Sequence, residues 1–168
     1  AQGRPIEWIQ ADMRVLEDVP TTDAVTLFSD SLCYLTDFEY VVSVFEAVYD
    51  HLEEGGIFLF DVHSLYQMQE VFPGYQYHFV EDDFAFLWQS YELDEPGSVE
   101  HVIDMYIKQE DGNLYEHFQE VHEEQTFPIE MYESALEMVG FTNIKVKADF
   151  GQSEVQETSP RWFFQAVK

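Results

Sequence analysis

The sequence is poor in cations. Seven Lys and Arg stand against 34 Asp and Glu, a formal net charge of −27 with the six His neutral. Nucleic-acid affinity comes largely from Lys and Arg displacing counterions from phosphates, so no nucleic-acid partner is expected. Anionic lipid is repelled in the same way, so no membrane surface is expected either. Cysteine is nearly absent. Cys33 alone cannot close an internal disulfide, which excludes a disulfide-stapled secreted module and makes a reducing cytoplasm the expected location. No run of 18 apolar residues occurs, and no charged-then-apolar leader opens the chain. An initiator Met is missing too. Ala1-Gln2-Gly3-Arg4-Pro5 runs at once into Ile6, Trp8 and Ile9, which reads as a cut within a longer protein, with a processed N-terminus as the alternative. Internal repeats and low-complexity linkers are also absent. What remains is 168 residues, 46% apolar and 17% aromatic, enough for one domain with a sizeable core and incompatible with disorder throughout.

Residues 5–11 alternate apolar and polar as a strand does, and end at Asp12-Met13-Arg14. Residues 23–28 form a short apolar run between turn residues and predict a buried strand. Thr36 or Asp37 is suited to cap a helix on which Phe38, Val41, Phe45, Val48 and Leu52 recur at three- and four-residue spacing. Gly55-Gly56 is expected to stop it. Ile57-Phe58-Leu59-Phe60 predicts another buried strand, ending at Asp61-Val62-His63-Ser64. Strand, helix, strand with apolar strands implies a parallel sheet covered on both faces.

The middle of the chain differs. Residues 75–126 hold fourteen acids, four of the six His and one Lys, Lys108. Alternating runs at 84–88, 99–103 and 105–107 are separated by Glu95-Pro96-Gly97 and Asp111-Gly112-Asn113, the pattern of an antiparallel meander with one wet face. Pro128 then opens a helix lined by Ile129, Tyr132, Leu136 and Val139 and ended by Gly140. Residues 144–148 and 162–167 predict the closing strands. The fold class is α/β, with residues 1–74 and 127–168 as the core and residues 75–126 as an antiparallel β insertion.

This order of elements, with Ile9-Gln10-Ala11-Asp12-Met13-Arg14, Asp23-Ala24-Val25 followed by Asp30-Ser31 and Tyr34-Leu35, and Gly55-Gly56-Ile57-Phe58-Leu59-Phe60-Asp61-Val62-His63-Ser64, resembles the class I S-adenosylmethionine-dependent methyltransferases. Within them it is most similar to a bacterial group of small methyltransferases with a β insertion. Thr126-Phe127-Pro128, Tyr132, Leu136 and Gly140-Phe141 continue the likeness, which covers nearly the whole chain. The departure lies in the glycines. The family's first strand ends in a glycine-rich turn, D-x-x-x-G-x-G, and the eight glycines here form no G-x-G. In the family's strand order, 3-2-1-4-5-7-6, the first two strands are therefore expected upstream of Ala1. They would sit between residues 6–11 and 24–28, a gap that the connector 12–23 is long enough to cross.

The resemblance implies a Rossmann-like sheet and S-adenosyl-L-methionine as cofactor. It implies methyl transfer by direct displacement to a small-molecule acceptor, with the insertion as substrate lid. Asp12 would accept from the adenine amino group, the Met13 backbone would meet the ring, and Ser29 and Asp30 would stand beside the sulfonium. Asp30 and His63 are the candidate catalytic residues, and Tyr34, His63 and Tyr66 the candidate acceptor contacts. Histidine titrates near neutrality, which suits proton removal from a nucleophile. Each residue also has a plain reading: Asp12 as a turn residue, residues 31–36 as a loop leading to a helix cap, His63 bonded to the next turn.

The run Glu116, His117, Glu120, His122, Glu123, Glu124 invites a metal reading. Residues 117 and 122 fall on opposite faces of a strand, and a five-residue gap is also off-face on a helix, so a solvated acidic edge is expected and no metal. A hydrolase is rejected for want of a G-x-S-x-G elbow. Trp88 and Tyr91 are placed in the insertion as a pocket lid or as sheet core. The acidity itself fits a salt-tolerant host or a local field favouring cationic substrates, and its spread through helices and insertion alike favours the first. A rival class is a non-catalytic, methyltransferase-like binding module without the glycine loop, and a homodimer exchanging strands is a further way to complete the sheet.

Overall fold

A computed structural model describes residues 6–16, 19–110 and 114–168. The expected start of the first strand at Pro5 and the turn at 111–113 lie outside the described residues.

Two four-stranded sheets carry the structure. In the first, the order is β1 (Thr22–Leu27), β2 (Leu52–His63), β8 (Arg161–Val167) and β7 (Thr142–Lys147). β1 and β2 are parallel, joined through α1 (Phe38–His51), while β8 runs antiparallel to both β2 and β7. α1 begins where Asp37 accepts from the Glu39 backbone N–H at 2.9 Å, which satisfies one of the helix's orphan donors. α2 (Ile129–Val139) follows Pro128 and ends at Gly140, whose φ of 118° the tight exit requires.

Both helices pack on the same face of this sheet. Val41, Val44, Phe45 and Val48 of α1 and Tyr132, Ala135 and Leu136 of α2 enclose Phe58, Phe60, Val62, Trp162, Phe164 and Ala166. Phe60 stacks on Phe164 at 4.6 Å, and Phe45 meets Phe60 at 5.3 Å. Each such side chain removed from water contributes about 1.5–3 kcal/mol.

The second sheet runs in the order β3 (Gln76–Val80), β4 (Phe84–Glu92), β5 (Ser98–Lys108) and β6 (Tyr115–Gln125), all antiparallel. A π-helical turn, Gln67–Val71, leads into it and buries Met68 beside Phe72 and Val99. The two sheets join at Thr126. Its N–H donates to the Gly97 carbonyl at 2.9 Å, and its hydroxyl donates to the His63 carbonyl at 2.7 Å.

Four expectations need correction. Residues 6–11 form no strand, and Ile6 and Trp8 are 74% and 88% exposed. The alternation is present, but a strand exists only as a paired ladder, and no described strand lies beside this segment. Gly55-Gly56 does not stop the helix, which ends at His51; the pair sits inside β2, where Gly55 at φ 80° allows the register shift against β1. β1 is largely exposed because, among the described residues, it has one neighbouring strand. Among the described residues, the sheet is covered by helices on one face only. Leu59, Phe163 and Gln165 line an open concavity of about 870 Å³ on the other, with Lys145, Lys147 and Phe150 at its rim.

Candidate active site

β1 and β2 are parallel and β8 antiparallel, so the end of β1, the end of β2 and the start of β8 meet at one edge of the sheet. In the register of this edge His63 is the partner of Arg161. Beyond Leu27 the chain turns through Ser29 and Asp30, both with positive φ (62° and 53°), which swings the Asp30 carboxylate back over the strand ends. Its Oδ2 lies 2.6 Å from His63 Nε2, and its Oδ1 lies 3.1 Å from Arg161 Nη1. Arg161 also pairs with Asp61, which is 2% exposed. The Asp30 backbone N–H points at Asp61 Oδ1, 3.4 Å away.

The insertion sheet supplies the facing wall. Alternation along β4, β5 and β6 directs Phe86 and Trp88, then His101 and Ile103, then His122 and Glu124 toward the strand ends. These six, with Asp30, Tyr34, His63, Phe72 and Arg161, line a pocket of about 280 Å³. Glu124 Oε2 is 3.8 Å from His63 Nε2. The Phe72 ring meets that of His63 edge-on at 5.0 Å, and Tyr34 Oη lies 3.1 Å from His122 Nδ1.

The electrostatics follow from this packing. Burial raises the Asp30 carboxyl, but the hydrogen bond and charge of His63 and the guanidinium of Arg161 outweigh it, so its pKa falls below the usual range. Glu124 goes the other way: burial dominates, Asp30 adds repulsion, and its pKa rises. Burial, then the neighbouring His63 and His122, hold His101 down to about 4. His101 is therefore neutral near pH 7. Its Nδ1 lies 3.1 Å from Trp88 Nε1, which donates to it, and 2.7 Å from Ser90 Oγ. An accepting Nδ1 puts the ring proton on Nε2.

A second depression, about 420 Å³, adjoins the first. Asp12, Met13, Arg14, Leu35, Thr36 and Tyr40 line it, and Tyr34 borders both. The Asp12 carboxylate accepts from the Arg14 backbone at 2.9 Å and from its guanidinium at 2.6 and 3.0 Å, which lowers its pKa to about 2. Arg14 in turn lies 4.6 Å above the Tyr40 ring. A carboxylate acceptor beside Met13 and Leu35 is a donor set that suits a purine: one acceptor for an exocyclic amine, apolar contact for the ring.

The structure thus brings Asp30, Tyr34 and His63 together in one pocket and places Asp12 and Met13 in the adjoining one. Ser29 lines the open face of the sheet instead. Tyr66 is half-buried and does not line the pocket; Phe72, six residues on, does. Trp88 reaches the pocket, whereas Tyr91 faces away and is 47% exposed. The acidic edge also divides. Residues 116–120 are solvated as expected, but Glu124 is buried and His122 lines the pocket, because the inner face of β6 slides under the strand ends only at its last residues. Arg161 and His101 escaped the reading of the sequence, and Glu124, grouped there with the solvated acidic edge, is buried instead. The period-two pattern of β5 and β6 was the available signal for His101 and Glu124, and nothing local singles out Arg161.

Comparison with known proteins follows the same lines. No family model matches the chain. Two curated relatives, whose names provisionally assign methyltransferase activity, align with all of it: one from Geobacillus sp. strain WCH70 at 38% identity over 168 residues, and YqeM of Bacillus subtilis strain 168 at 37% over 169. The chain spans 68% of each. Among solved structures, an S-adenosylmethionine-dependent methyltransferase from Clostridium acetobutylicum ATCC 824 is 26% identical with a TM-score of 0.82, over 94% of this chain and 62% of that one.

Proposed function

The chain belongs to the class I S-adenosylmethionine-dependent methyltransferases, and from that premise we propose that the protein methylates a small molecule held between its two sheets. The observation that carries the reading is the convergence of Asp30, His63, Glu124 and Arg161 on a 280 Å³ pocket, next to the depression bordered by Asp12 and Met13. That volume is near the low end of small-ligand sites. In this reading residues 75–126 form the lid over a core of residues 1–74 and 127–168.

When bound, S-adenosylmethionine supplies an electrophilic methyl group on a sulfonium. Asp12 and Met13 would hold its adenine, Asp12 exchanging its bonds to Arg14 for the exocyclic amine, and Asp30 would flank its methionine end. The chain's own task is to orient the acceptor, shed water and take a proton. Phe72, Phe86 and Trp88 form a dry wall, and displacement by a soft nucleophile needs chiefly such placement. Where the acceptor carries a proton, His63 accepts it, and Asp30 stabilises the resulting imidazolium. Arg161 keeps Asp30 ionised and fixed. Tyr34, shared by both depressions, would border the transferring methyl group. Tyr66 stays a candidate acceptor contact only after movement of its turn.

The test is a calorimetric titration of S-adenosylhomocysteine into the protein at its full natural length, followed by methyl-transfer assays against small amines, alcohols and thiols. Micromolar binding that Asp12→Ala weakens tenfold or more is expected, with turnover lost in His63→Gln. Absence of binding would sink the reading and favour a non-catalytic module.

A further inference from the structure

We propose that Asp30, His63 and Glu124 form a divalent-cation site inside the acceptor pocket. The three donors come from three separate places in the fold, the turn after β1, the end of β2 and the end of β6, yet one carboxylate oxygen of Asp30, one ring nitrogen of His63 and one carboxylate oxygen of Glu124 all lie within 4.8 Å of one another. The individual separations are 2.6 Å from Asp30 to His63 and 3.8 Å from His63 to Glu124. A cation bonded at ~2.1 Å holds neighbouring ligands ~3 Å apart and opposed ones ~4 Å apart. The longer separation is already within that window, and the shorter must open by a few tenths of an ångström.

A second, independent observation points to a ligand. The Glu124 side chain is 6% exposed, and its Oε2 has no hydrogen-bond partner among the described residues although it faces His63. A buried carboxylate oxygen without a partner is costly, and native structures normally satisfy it. The charges agree. Three carboxylates, those of Asp30, Asp61 and Glu124, meet a single guanidinium here, that of Arg161. The pair His117 and Asp104, 2.5 Å apart on the outer face of the insertion sheet, has the same ligand chemistry, but its imidazole is 44% exposed and no third donor joins it among the described residues.

One imidazole with two carboxylates suits Mn²⁺ or Zn²⁺ better than Ca²⁺, which prefers oxygen ligands alone. In the pocket such an ion would displace the proton that Asp30 and His63 share. It would bind the acceptor's oxygen or nitrogen and lower the pKa of that group. Coordination itself does not depend on the methyltransferase reading.

The experiment is a titration of chelator-stripped protein with Mn²⁺, free ion being counted by electron paramagnetic resonance, with Zn²⁺ titrated calorimetrically. One site per chain at micromolar Kd is expected, weakened at least tenfold in Glu124→Gln and His63→Gln and unchanged in the exposed control His117→Asn. Several weak sites indifferent to Glu124→Gln would overturn the proposal, since a surface of charge −27 gathers cations without a site. So would absence of binding. Circular dichroism checks each variant's fold, and Asp30→Asn takes the place of any that fails it. Binding of S-adenosylhomocysteine without Mn²⁺ binding defeats this inference alone; a Mn²⁺ site without S-adenosylhomocysteine binding defeats only the methyltransferase reading.

Discussion

His101 shows how a single buried side chain couples the pocket to pH. Trp88 and Ser90 engage its Nδ1, so the neutral ring is fixed in one tautomer with Nε2–H as its remaining donor. Its pKa is about 4 in the folded chain against 6.5 for the free side chain. A lowered histidine pKa means that the unfolded chain binds the proton first as pH falls, so stability drops between about pH 6.5 and 4 and is intact above. From pH 7 to 4.5 the expected loss from this residue is about 2.5 kcal/mol. Other ionisable groups line the same pocket, so the decisive quantity is a difference. Urea midpoints of wild type and His101→Asn at pH 7 and 4.5 should show the smaller fall in the variant; parallel falls would refute the assignment.

At the scale of elements, the question is what holds the insertion sheet over the strand ends. Two short connections do it. The β4–β5 turn reaches the core through Gly97, and β6 returns through Thr126. Gly97 has φ 79°, and a Cβ there would lie 2.6 Å from the Thr126 carbonyl oxygen, a backbone atom that cannot swing away. Gly97→Ala is therefore expected to cost about 2 kcal/mol or more, from left-handed strain and the forced shift together. Chemical denaturation measures that cost. Limited proteolysis should also cut the variant faster within residues 75–126 than within the helices, because the added methyl group wedges open the junction between the sheets. Wild-type resistance in both regions would mean the turn has simply relaxed.

For the whole molecule, charge dominates. A net −27 over 168 residues is self-repulsive in the folded state. Raising salt from 0.1 to 1 M shortens the screening length from ~10 Å to ~3 Å. The buried pairs of Arg161 with Asp30 and Asp61 are screened far less than the exposed acids. The thermal midpoint should therefore rise steadily with NaCl, by several degrees over that range, as a salt series by scanning calorimetry would show. A falling midpoint would mean that exposed ion pairs such as Arg14 with Asp12 outweigh the repulsion. The open face of the first sheet belongs to this scale as well. Leu59 and Phe163 are only half-buried, Phe163 meeting the Phe150 ring at 4.7 Å, a departure from the two-sided burial that continuous apolar strands imply.

The sequence by itself determined the local elements and the outline of the site. Helix periodicity, the Asp37 cap and Gly140 mark α1 and α2, and the apolar runs mark β1 and β2 because burial of such runs has few other solutions. Polar residues directly after those runs pointed to Asp30 and His63, since chain leaving a parallel strand emerges at the ligand-binding edge. The motif order carried the family. Tertiary structure alone decided the rest. Arg161 is 100 residues from Asp61 and meets it only through antiparallel pairing of β8 with β2. Glu124 is buried and Glu120, on the same face of β6, is exposed because only the end of β6 lies against the core. Residues 6–11 carry a strand's alternation and form none, for want of a neighbour. Side-chain periodicity says which face a residue occupies; what that face meets is set by long-range pairing, which no local pattern encodes.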